Sequence, residues 1–130
     1  MPLSLGVTCS GDFILWPLKH RFLDFDIGIA PLIDDYFNRC KTPIKWMEYG
    51  ILETVTVCSP TLYSKVVKHG ETGFIAKTEE DWVKYLSLLI EDKRLRKKIG
   101  KAARREVFKR YDLDLHWRGW VEVYEKVVGI

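Results

Sequence analysis

Residues 26–49 read DIGIAPLIDDYFNRCKTPIKWMEY, and the fold is decided here. Ile27–Ala30 is a short apolar run closed by Pro31, the pattern of a strand buried in a parallel sheet. Asp34 to Lys41 is polar and reads as a functional loop. Thr42 is placed to cap the helix that follows, and Pro43 suits its first position. The helix is expected to run to about Leu52. A strand, a loop and a helix in this order present the helix N-terminus to an anionic ligand at the edge of an open α/β sheet. Lys41 and Lys45 add positive charge at that mouth, and Glu48 stands one turn deeper. Cations for phosphate beside a carboxylate for a sugar hydroxyl match a nucleotide-sugar site.

The chain downstream repeats the alternation. Thr54–Cys58 is β-branched and apolar, a second buried strand ended by Ser59-Pro60. Leu62–Lys68 is expected as a short helix ended by Gly70. Glu71-Thr72-Gly73 is a turn before a third strand, Phe74–Ala76. Thr78-Glu79-Glu80 caps a helix in which Trp82, Tyr85, Leu86, Leu89 and Ile90 recur at helical spacing. Asp92–Arg110 reads as one or two basic amphipathic helices. Asp112–Val128 reads as a last helix with Trp117, Trp120, Val121, Tyr124, Val127 and Val128 as its apolar stripe. The spacing assigns Trp82, Trp117 and Trp120 to the core. Upstream, Leu3–Cys9 is a candidate strand, and Gly11–Phe25 a turn with a short helix. Strands alternating with helices require a parallel sheet with right-handed crossovers, hence an α/β fold.

Composition agrees. A chain of 130 residues, 47% apolar and 13% aromatic, suits one compact domain with a real core, residues 1–130. No apolar run reaches the roughly 20 residues needed to span a bilayer. The first residues lack the basic and apolar blocks of a signal peptide. Cys9, Cys40 and Cys58 are odd in number and show no CxxC pattern, which reads as free thiols in a reducing cytoplasm. His20, His69 and His116 have no metal-ligand spacing. From Lys93 to Arg110 the only acid is Glu106. The plain reading of this run is a solvated helix face. The functional reading is contact with an anionic membrane surface or a phosphate-bearing acceptor. No nucleic-acid-binding motif accompanies the charge.

Several segments carry a family resemblance. They are DIGIAPL and FN-x-x-K-x-x-x-K-x-x-EY, then VTVCS (55–59), VVKHGETGFIA (66–76), Glu80-Asp81-Trp82, and Leu95-Arg96 with Ile99 to Arg104. In order and spacing they resemble the C-terminal, donor-binding domain of retaining glycosyltransferases of the two-domain GT-B architecture, the glycosyl transferases group 1 family, over about residues 24 to 127. The resemblance implies a Rossmann-like, partial doubly wound parallel sheet with a helical C-terminus. It implies a glycosyltransferase, or a module of one, moving a sugar from a nucleotide-diphosphate donor to an acceptor hydroxyl without a bound metal.

Carried over residue by residue, Lys41, Thr42 and Lys45 lie at the diphosphate, and Glu48 accepts hydrogen bonds from the ribose hydroxyls. Relatives carry a second glutamate eight residues before the first, where this chain has Cys40; Asn38 or Asp35 then supplies the sugar contacts, while the plain reading of Asp34 and Asp35 is as turn residues. Asp34-Asp35 is adjacent, not a D-x-D pair. After the site helix relatives favour Gly-x-Pro, and this chain has Glu53-Thr54-Val55. Glutamate takes the left-handed conformation only with strain, so a differently built turn is expected. Relatives have two further strand–helix units upstream, bearing the Arg and Lys that stabilise the leaving diphosphate. Without them a sheet edge lies open, and a homo-oligomer, a partner chain or a rearranged N-terminal segment is expected to cover it. The alternative function is a non-catalytic nucleotide-sugar-binding or assembly subunit that works with a partner chain.

Overall fold

The computed structural model describes residues 25–129. Within them the chain runs β1 (Ile27–Ala30), α1 (Tyr36–Arg39), α2 (Ile44–Ile51), β2 (Val55–Cys58), a 3₁₀ turn (Tyr63–Lys65), β3 (Phe74–Ile75), α3 (Glu79–Glu91), α4 (Lys93–Tyr111) and α5 (Leu113–Val128). The strands form one parallel sheet in the order β1-β2-β3, with Ile27 opposite Val55 and Val57 opposite Phe74. The expected Leu3–Cys9 strand lies outside the described residues, as does the 11–25 segment except Phe25. Among the described residues, β1 has β2 as its only strand neighbour.

The central strand β2 is buried along its whole length, which is why it reads as an unbroken β-branched run. Its side chains alternate between two cores. Val55 and Val57 pack with Phe74, Ala76, Leu89 and Ile99. On the other face Cys58 packs with Ala30, Trp46, Leu62, Tyr63, Val67 and Val107. The helix α3 starts as its sequence demands: Thr78 Oγ1 accepts from Asp81 N, and Asp81 reaches back to the Thr78 N–H. At its other end Arg96 of α4 donates to the Leu89 and Ile90 carbonyls, satisfying orphan acceptors.

Several expectations are corrected. The 34–41 stretch is not an open loop, because α1 forms within it. Thr42 does not cap the site helix: Pro43 holds the N-cap position without a side-chain bond, and Ile44 is the first helical residue. The Leu62–Lys68 helix shrinks to the 3₁₀ turn at Tyr63–Lys65. It is entered through a tight γ-turn centred on Leu62, at φ 68 and ψ −51, with Tyr63 N donating to Thr61 O. The turn after α2 does take the left-handed conformation: Glu53 stands at φ 59 where a glycine would be unstrained. Trp82 packs at the edge of the core, but Trp117 and Trp120 do not pack into it, being 47% and 62% exposed.

Candidate functional site

Because β1 and β2 are parallel, α2 must run back between them, and its N-terminus opens at the carboxyl ends of the strands. Three interactions anchor it. Gly28 has no side chain, and a Cβ there would stand 2.5 Å from the nearest atom of the Tyr49 ring, so β1 and α2 meet closely. Trp46 is fully buried and its Nε1–H donates to Thr72 O at 2.9 Å. Arg104 of α4 donates to Ile51 O at the far end of the helix.

At the mouth, Pro43 has no N–H, and Met47 N donates to Pro43 O. The N–H groups of Ile44, Lys45 and Trp46 have no acceptor among the described residues. Three uncompensated donors at a helix N-terminus carry partial positive charge. Lys41 and Thr42 are exposed beside them. The Lys41 ammonium lies 4.6 Å from the centroid of the Phe37 ring. Lys45 and Glu48 are brought together, Nζ to Oε2 at 3.4 Å, so Glu48 stands half-buried with a cation of its own.

The remaining site residues expected from the sequence are engaged within the loop. Asp35 Oδ1 accepts from Asn38 N at 2.7 Å and caps α1. Asn38 is buried, and its Nδ2 donates to Ile33 O. These bonds make Asp35 a cap and Asn38 an internal brace. Cys40, at the position of the missing glutamate, is exposed.

A clamp between the two carboxyl-edge loops is absent from the sequence reading. Ser59 Oγ accepts from Leu32 N at 2.8 Å, and Ser59 N donates to Ala30 O. Arg39 forks onto both Asp34 oxygens at 2.7 and 2.8 Å, and the Thr61 hydroxyl donates to Asp34 at 3.4 Å. The Arg39 hydrogen bond chiefly, with its charge and Thr61, holds the Asp34 carboxyl below its ordinary range. Leu32 and Ser59, like Asp34 and Thr61, stand 27 residues apart, beyond any local pattern.

Beneath the site lies Tyr63, buried, its phenol raised by burial first and then by Cys58, Tyr49 and Glu48. Burial pushes the Cys58 thiol from 9.0 up to about 12. Above pH 9.0 the unfolded chain loses this proton and the native chain retains it until about pH 12. Native protein then binds more protons than unfolded protein, so stability falls as pH rises through this window. The expected slope is about 1.4 kcal/mol per pH unit. Urea unfolding at a series of alkaline pH values reads it directly, and Cys58→Ala should flatten the curve.

An open cleft of about 430 Å³ lies beside β3, lined by Pro60, Ser64, His69, Ile75, Lys77, Asp81 and Tyr85. None of Lys41, Thr42, Lys45 or Glu48 reaches it. His69 is a structural turn residue: its Nδ1 accepts from Ile75 N, and its ring meets Phe74 and Tyr85 edge-on. Among the described residues no three His, Cys, Asp or Glu side chains converge as a metal ion would require, and no helix is long and apolar enough to cross a membrane.

No family model and no curated protein matches this chain. Among solved structures it is similar to the C-terminal domain of a glycosyl transferase group 1 family protein (LpcC) from Francisella tularensis. The likeness has a TM-score of 0.59 at 18% identity, over 82% of this chain and 52% of the other. The fold expected from the sequence resemblance is therefore found: an open parallel sheet flanked by helices, of the GT-B C-terminal kind. The chain spans about half the length of that structure.

Proposed function

We propose that this chain is a donor-binding module of a glycosyltransferase, holding a nucleotide-diphosphate sugar at the mouth of α2. The carrying observation is the pair of unpartnered N–H groups at Ile44 and Lys45, exposed at the carboxyl edge beside Lys41, with the unpartnered N–H of buried Trp46 behind them. The diphosphate sits against those amides, and Lys41 leaves the Phe37 ring to meet it. Glu48 accepts hydrogen bonds from two vicinal ribose hydroxyls, and Lys45, 3.4 Å from its Oε2, holds the carboxylate in place. In transfer, the bond from the anomeric carbon to the diphosphate oxygen breaks, and the electron pair leaves on that oxygen. The acceptor hydroxyl oxygen then bonds to the anomeric carbon, and its proton passes to the departing diphosphate oxygen. The α2 amides stabilise the charge that grows on the departing diphosphate. No metal is needed in this reading.

A second reading has one observation in its favour. The likeness covers only 52% of the comparison structure, so the module binds donor while a partner domain or chain supplies the acceptor and the remaining cations.

Titration calorimetry with UDP, GDP and their sugars tests the proposal. The chain is expected to bind at least one of them. Glu48→Ala should weaken binding roughly 10- to 100-fold, the value of hydrogen bonds to a charged group. Lys41→Ala should weaken it less, and the loss should shrink as salt is raised. Both side chains lie outside the core, so circular dichroism should be unchanged. No affinity for any of these nucleotides rejects the proposal. Sugar transfer by the purified chain alone rejects the second reading.

A further inference from the structure

The helix α5 is well formed yet covered by nothing among the described residues. Asp112 caps its start by accepting from Asp114 N, and Gly129, at φ 72, closes its end. Every residue from Leu113 to Val128 is exposed. One link beyond the chain itself ties it to α4, between His116 Nε2 and Lys109 O. A lone helix of 16 residues is marginal in water, and its stability has to come from burying an apolar face.

The face is specific. Leu113, Trp117, Trp120, Tyr124 and Val127 follow one another at steps of four, three, four and three, the 3.5-residue repeat of a helix–helix seam. On the opposite side Asp114, Arg118, Glu122 and Lys126 alternate in sign at steps of four, which marks a solvated outer face. That charge pattern argues against a lipid surface. A helix lying on anionic lipid carries an excess of Lys and Arg on its polar side, whereas α5 has Asp114, Glu122 and Glu125 against Arg118 and Lys126. Of the ten cations of α4, Arg96, Arg104 and Arg110 are held by carbonyls or carboxylates of their own chain, and the other seven belong to α4 and not to the polar side of α5.

We propose that α5 is a self-association helix and that the occupant of its seam is the same seam of a second copy. With Tyr124 66% exposed and the two tryptophans about half exposed, the seam, with Leu113 and Val127, offers on the order of 600 Å² per copy. Two copies then bury about 1,200 Å², the lower end of the range for specific, stable interfaces. A two-fold interface is self-complementary, and an apolar seam with a neutral outer face satisfies it without like-charge repulsion. The seam lies on α5 and not on β1, and it does not rest on donor binding.

Sedimentation equilibrium of the full chain decides the matter. The expected mass is twice 15.3 kDa. Trp120→Glu should return it to 15.3 kDa. Leu115→Glu, on an equally exposed residue off the seam, should leave the dimer intact. Neither substitution touches the core, and circular dichroism checks that both variants fold. A wild-type monomer at all concentrations overturns the proposal, including one that binds phosphatidylglycerol vesicles instead. A dimer that survives Trp120→Glu also overturns it, and moves the contact to another face such as the β1 edge.

Discussion

Trp46→Ala should remove most of the folding free energy of this domain, about 5 kcal/mol. Truncating a fully buried tryptophan costs about 3–5 kcal/mol through lost burial and the cavity left behind. Here a second loss is added. The Nε1–H of Trp46 donates to Thr72 O, and Thr72 is itself buried. Without the indole that carbonyl loses its donor, at about 1–3 kcal/mol. Trp46→Phe separates the two terms, since it keeps much of the volume and removes only the donor, and its expected cost is about 1–3 kcal/mol. Urea unfolding followed by far-ultraviolet circular dichroism measures both. Equal losses for the two variants would show that the hydrogen bond, not the volume, carries the site. The consequence for function is direct, because Trp46 fastens the site helix α2 to the turn that leads into β3. A Trp46→Phe protein that folds should bind nucleotide more weakly although residue 46 is buried and its side chain meets no ligand.

The parts of this structure that were legible in the sequence are those decided by neighbours along the chain. The strand β2 is buried on both faces and announces itself as an apolar β-branched run. The capping residue Thr78 and the punctuation at Pro31 and Ser59-Pro60 mark ends because backbone preference acts over a few residues. The site helix was found for the same reason, though its start was read one residue early. Thr42 has the chemistry of a cap, but Pro43 takes the position without one, which leaves the mouth more open than expected. What escaped is long-range. The Ser59–Leu32 and Asp34–Thr61 contacts join loops 27 residues apart. Periodicity showed that α5 has an apolar face, but it holds no information on whether anything covers that face.

Glu53 belongs to the same class, and it leads to the second large effect: Gly100→Ala should destabilise the protein by about 3 kcal/mol or more. Helix propensity alone predicts the opposite sign. Gly100 is in the interior of α4, where alanine is favoured over glycine by about 1 kcal/mol. Packing decides against propensity. A Cβ at position 100 would run into the carbonyl oxygen of Glu53 and stand 2.6 Å from its carbonyl carbon. These are backbone atoms, and they have little room to yield. Glu53 is already at φ 59, its N–H donates to Gly50 O, and Arg104 of α4 holds the neighbouring Ile51 carbonyl. The added methyl must therefore lift α4 away from the end of α2. That motion opens the contact of Val107 with Gly50, where a Cβ would stand only 2.9 Å from Val107 Cγ2. It also loosens Ala103 and Ile99, which are buried on the same helix. The close approach at Gly100 explains why a strained glutamate conformation persists after α2: the turn is set by the helix packed on it and not by the residue that occupies it. Thermal unfolding should show a fall in Tm of about 10 °C or more for Gly100→Ala. An unchanged or raised Tm would mean that propensity outweighs the contact and that α4 is free to move from the site helix.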